Sequence, residues 1–222
     1  MDAFVSEFFN VEVMRKVLPL ILSGLLQTMF LCVILVPLGL IGGLGTMLLA
    51  TSRRRAVRWS TLALIDFFRS FPPLVLLIFI FSGLPFAGIR LSPMMAICVA
   101  FLLNSSSYYG EIYRAGVESV PAGQTEAARS TGLGATQTML YVILPQAVRN
   151  VLPELLSNTV ELIKLTTLAS VISAPELLHS ADLARSLTYN SSPLTLAALI
   201  YLALLWPLVR LVRRMEHRLG AR

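Results

Sequence analysis

Glu126-Ala127-Ala128-Arg129-Ser130-Thr131-Gly132, continued further on by Val142-Ile143-Leu144-Pro145, is the stretch on which the reading of this chain turns. It lies between two long apolar segments. An alanine pair behind a glutamate, a helix-breaking glycine and then a proline predict a short helix presented to a partner at a membrane surface. Pro121 marks its start and Gly132 with Gly134 its stop, for about ten residues. Ala127 and Ala128 offer a small-residue surface, and Glu126 and Arg129 frame it with charge. The alternative is an ordinary loop helix lying on lipid. Against it, the segment is poor in bulky apolar residues and would bind a membrane surface weakly. A chain of this kind forms a path through the bilayer rather than doing chemistry.

The composition agrees. Of the 222 residues 56% are hydrophobic and only 14% charged, and the mean hydropathy is +0.76. That is too apolar for a soluble domain, and several runs are long enough to cross a bilayer. The formal charge of +6 would suggest nucleic acid in a soluble protein. Here the basic residues flank apolar runs and orient them, so a membrane lipid environment and no nucleic acid are expected. Cys32 and Cys98 sit in apolar runs as packing residues. His179 and His217 have no Cys or His neighbours, so no metal site is expected. The N-terminus carries Asp2, Glu7 and Glu12 and lacks the basic start of a signal peptide.

Five spans are expected, at about 18–50, 59–84, 92–113, 153–172 and 192–212, in one all-α membrane domain covering 1–222. The docking loop runs from about 119 to 146. Residues 139–152, interrupted by Pro145, read as an interfacial or re-entrant piece. Gly39, Gly42, Gly43 and Gly45 in the first span allow a neighbouring helix to approach closely. Pro37 and Pro72-Pro73 are expected kinks. The loops containing Arg53-Arg54-Arg55, Arg129 and the C-terminal arginines hold twelve basic residues on one side, against four on the other. The basic side is cytoplasmic, which places the N-terminus outside and the C-terminus inside. After Pro175, apolar residues at 177, 178, 181, 184 and 187 predict a short amphipathic helix on the outer surface, with Pro175 at its first position.

Charges inside spans face protein or a water-filled path. Asn158, Glu161 and Lys164 fall at i, i+3 and i+6, with Glu161 and Lys164 close enough to pair. They line a substrate path or form a structural ion pair. Asp66 and Arg69 are also three apart, and either make a local pair or belong to a gate or path. Asn104 to Tyr109 makes the second half of span three polar, for helix contacts first and a path second.

The docking stretch resembles the cytoplasmic motif of permease subunits in binding-protein-dependent ABC importers: Glu-Ala-Ala, three residues, Gly, nine residues, Ile, one residue, Leu-Pro. Here Val142 stands in place of the isoleucine and every spacing matches. The likeness to the polar amino-acid group of that family runs from about Gly24 to Arg214. It includes Phe67-Phe68-Arg69-Ser70-Phe71-Pro72-Pro73, Ser119-Val120-Pro121-Ala122-Gly123-Gln124 and Leu144-Pro145-Gln146-Ala147. One departure is Lys164-Leu165-Thr166-Thr167-Leu168, where the family commonly has an aspartate at the second position.

The resemblance implies a type I importer permease of the bacterial inner membrane. Glu126, Ala127, Ala128, Gly132, Leu144 and Pro145 would couple it to two ATP-binding subunits, which carry ATP and Mg; this chain binds no cofactor. A periplasmic solute-binding protein delivers the amino acid, and a second permease chain, identical or related, completes the path. The alternative is the same machinery for an opine or amino-acid derivative. The lysines, Lys16 and Lys164, do not follow glycine, so the chain has no P-loop. A membrane enzyme would need a catalytic cluster and a secondary transporter an inverted repeat, and the sequence displays neither.

Overall fold

A computed structural model describes residues 2–220, with side chains through residue 216. His217 and two of the counted arginines, Arg218 and Arg222, lie outside the described side chains. The helices are α1 (Asp2–Phe8), α2 (Val11–Ala50), α3 (Arg55–Ser70), α4 (Pro73–Ile78), α5 (Pro93–Glu118), α6 (Ala122–Ser130), α7 (Ala135–Thr138), α8 (Leu144–Leu165), α9 (Leu177–Thr188) and α10 (Ser192–Gly220). No strand occurs among the described residues.

Three helical runs are long and apolar enough to cross a membrane: Asp2–Ala50, Ala135–Ile172 and Ser192–Glu216. A fourth exists if the broken pair Arg55–Ser70 and Pro73–Ala87 counts as one span. By length and composition the count is therefore three or four, where the sequence led us to expect five. The third expected span lies in α5, whose run Asn104-Ser105-Ser106-Ser107 dilutes its hydropathy.

The prolines do not all act alike. Pro37 sits inside α2 without ending it. Pro145 does not interrupt the chain, so 139–152 is not a separate re-entrant piece. A π-helical turn at Met139–Ile143 joins α7 to α8 and widens the backbone just before the proline. That relieves the clash of the ring with the carbonyl four residues back. A matching π turn at Phe79–Gly83 precedes Pro85. At Pro72, by contrast, the helix stops. Phe71 is extended (φ −85°, ψ 125°), as a residue before proline prefers, and Pro73 restarts the helix in its first turn.

The chain forms two compact units. One contains the first part of α2, Pro72–Phe101 and Val160–Arg210. Its core joins Val17 and Ile21 of α2 to Leu177, Ala181 and Ala184 of α9 and Ala197 of α10. Gly24 permits this contact, since a Cβ there would sit 2.7 Å from Ser180 Cβ and 3.0 Å from the Glu176 carbonyl. Helix α9 starts two residues later than expected: its first helical residue is Leu177, not Pro175, and Glu176 caps it. The fully buried Glu176 carboxylate accepts from the amides of Leu178 and His179 and from the Tyr201 hydroxyl at 2.9 Å. The Leu177 amide donates to Thr28 Oγ1 at 3.0 Å.

The other unit contains Leu38–Phe71 and Leu102–Thr159. Here the second half of α2 packs on α5 through the expected glycines. A Cβ on Gly39 would meet Ser105 Oγ at 2.7 Å, and one on Gly43 would meet the Gly110 amide nitrogen at 3.0 Å. Gly45 faces open space and takes no part. Thr46 Oγ1 donates to the Ser106 carbonyl at 2.9 Å.

Candidate functional site: the docking segment

Helix α6 follows Pro121, which holds extended backbone (φ −56°, ψ 137°). Its end is closed by Thr131, whose amide reaches the Ala127 carbonyl and whose hydroxyl donates to the Ala128 carbonyl at 2.8 Å. Gly132 then turns the chain with φ +89°. A Cβ there would meet nothing within 4 Å, so the left-handed backbone, not clearance, is what favours glycine.

The alanine pair does not form one outward surface. Glu126 and Ala127 are exposed, whereas Ala128 is only 7% exposed and turns into the segment. What holds α6 in place is the second half of the motif. Ile143 is buried against Val120 and Ala147, with Val117 and Val142 packed alongside. Gln146 Nε2 donates to the Val142 carbonyl at 2.8 Å, and Asn150 Nδ2 to Ser119 Oγ at 2.9 Å. Leu144 and Pro145 are themselves exposed. So Val142 and Ile143 fix the loop, while Glu126 and Ala127 are displayed by it.

The charged residues expected within spans divide. Lys164 pairs with Glu161, both side chains being about half exposed on this chain. Asn158 is half-buried. Asp66 and Arg69 do not pair: Asp66 is exposed and makes no ion pair among the described residues. Arg69 turns instead to α5, where Glu111 also takes Arg114, whose Nε lies 3.0 Å from Glu111 Oε2. Sequence spacing within one helix pointed to Asp66. The pairing with Glu111, and the buried Glu176, depend on tertiary contacts that such spacing cannot register.

Among the described residues no group of three His, Cys, Asp or Glu side chains could hold a metal ion, and Cys32 and Cys98 are both free. Helical runs long and apolar enough to cross a membrane, with a short helix that exposes Glu126 and Ala127, define a membrane component. Residues 37–221 match the family described as the binding-protein-dependent transport system inner membrane component, and the chain belongs to that family. It is 37% identical over 198 residues to the probable amino-acid ABC transporter permease protein YckA of Bacillus subtilis, covering 88% of this chain and 87% of that protein. It is 35% identical to the probable glutamine ABC transporter permease protein GlnP of the same organism (88% and 92% covered). To that organism's arginine transport system permease protein ArtQ it is 33% identical (91% and 93% covered).

A crystal structure of an amino acid ABC transporter with histidines superposes with a TM-score of 0.86 at 35% identity, covering 92% of this chain and 96% of that one. The MetNI methionine transporter shares the fold, at a TM-score of 0.71 and 19% identity, with 88% and 96% covered. The chain is thus a multi-pass inner-membrane permease of the type I importer fold, and not an enzyme. ATP is hydrolysed on a separate subunit, and the family implies ATP-binding, substrate-binding and further permease partners.

Proposed function

We propose that this permease serves an importer of polar amino acids, driven through α6 by two ATP-binding subunits that hold ATP and Mg. The observation that carries the coupling role is the geometry of α6: Glu126 and Ala127 exposed, Ala128 turned in, and Gly132 ending the helix at φ +89°. Leu144 and Pro145 complete the segment by leading from the buried Ile143 into α8. Movement of the ATP-binding subunits then passes from α6 through Ile143 into that membrane helix. The amino-acid class rests on relatives described as amino-acid, glutamine and arginine permeases.

In this reading the broken pair and α5 each cross the membrane, giving five spans. The N-terminus is periplasmic and the C-terminus cytoplasmic, in line with the arginine bias. A periplasmic solute-binding protein meets the face bearing α9, and a second permease chain completes the path. Glu161 and Lys164, charged and half exposed, do not suit lipid. They face the path or the second chain, with Asn158 beside them. Asp66 and Arg69 stand near the break in span two, Asp66 open to the path and Arg69 holding the break closed.

The test is Gly132→Asp in the complex reconstituted with its ATP-binding and solute-binding subunits. It is expected to uncouple ATP hydrolysis from uptake or to release the ATP-binding subunit. Coupled uptake at the wild-type rate would remove the docking role.

A further inference from the structure

A cavity of about 360 Å³ lies within the docking segment. Its floor is mostly apolar, made by the buried Val120 and Ile143 and the half-buried Val117. Its rim is exposed: Thr125 and Arg129 stand one turn apart on α6, with Ala135 and Met139 opposite. The volume is more than twice the ~150 Å³ that holds a benzene molecule in an apolar protein cavity. The hollow is open at its rim and so is roomy enough to take a large side chain from outside.

Helix α6 itself supplies half of the rim. A protein that covers the exposed Glu126 and Ala127 therefore also faces the mouth. The Arg129 guanidinium stands there with no ion pair among the described residues. We infer that docking is reciprocal: a bulky apolar side chain of the ATP-binding subunit, with a carboxylate next to it, enters this cavity. Its body rests on Val120 and Ile143, and the carboxylate meets Arg129. The inference rests on the docking role proposed above and extends it. A helix lying in a partner's groove can be pushed; one that also holds a partner's side chain can be pulled. An aromatic or aliphatic anchor in a desolvated pocket is the kind of contact that dominates an interface.

The experiment uses the assembled complex with its ATP-binding subunit. With p-benzoylphenylalanine in place of Ala135, irradiation is expected to link the rim to a bulky apolar residue of that subunit which has an acidic neighbour. Ala135→Trp, which plugs the mouth from an exposed position, is expected to weaken association at least tenfold while the thermal unfolding of the permease alone is unchanged. The inference is overturned if the wild-type complex forms but Ala135→Trp binds within twofold of it and the adducts map only to this chain or to detergent. Failure of the wild-type chain to bind the ATP-binding subunit at all would instead remove the docking role, and this inference with it.

Discussion

Arg69 Nη1 lies 3.9 Å from Glu111 Oε1, and its guanidinium sits over the Tyr108 ring, 5.4 Å from the centroid. The same face of α5 closes the end of α3. Asn104 Nδ2 donates to the Phe68 carbonyl and the Tyr108 hydroxyl to the Arg69 carbonyl, each at 3.2 Å. A helix that stops at Phe71 leaves its last carbonyls without helical partners. Asn104 and Tyr108, at i and i+4, donate to two of them instead, and Glu111, at i+7, takes the Arg69 guanidinium.

Asn104→Leu keeps the branched shape but strands the Phe68 carbonyl, at a cost of about 1–3 kcal/mol. Asp66→Ala removes an exposed carboxylate with no ion pair among the described residues and is expected to change stability by less than about 0.5 kcal/mol. Thermal unfolding in detergent separates the two. Equal losses would mean that the end of α3 is held by Asp66 after all.

Two glycines two residues apart, and so on different faces of α2, should respond with opposite sign. Gly43→Ala places a Cβ 3.0 Å from the Gly110 backbone and against Tyr109, so α2 and α5 must move apart and stability falls. Gly45→Ala meets nothing within 4 Å and gains helix propensity, up to about 1 kcal/mol. Melting temperatures that shift the same way in both variants would count against this packing of α2 on α5.

Burial pushes the Glu176 carboxyl up, outweighing the Leu178 and His179 amides and the Tyr201 hydroxyl that favour its charged form. A raised folded value means the native state holds its proton to higher pH than the unfolded chain, whose carboxyl titrates near 4.3. The stabilisation is therefore complete below about pH 4 and is lost as pH rises through the folded value. Glu176→Gln should flatten that part of the stability profile. Superimposable profiles for the two proteins would place the carboxyl in water.

The docking helix could be read from the sequence because its signals are local: Pro121 before it, Gly132 after it, and small residues between. The same locality explains the errors. Pro145 looked like a break because a proline in a regular helix clashes with the preceding turn, yet the π turn at Met139–Ile143 absorbs it. Pro72 did break the helix, because Phe71 takes the extended conformation and the carbonyls left behind find partners on α5. Nothing near Arg69 in sequence announces a partner in Glu111. Glu176 is not among the residues that usually cap helices, and its burial follows from the way α9 lies on α2 and α10.

The most direct test of the central claim is ATP-driven uptake in proteoliposomes, with the chain reconstituted beside its ATP-binding and solute-binding subunits and offered a panel of labelled amino acids. The expected result is saturable uptake of one polar class that requires ATP and every subunit. Uptake that proceeds without ATP or without the ATP-binding subunit would contradict the account.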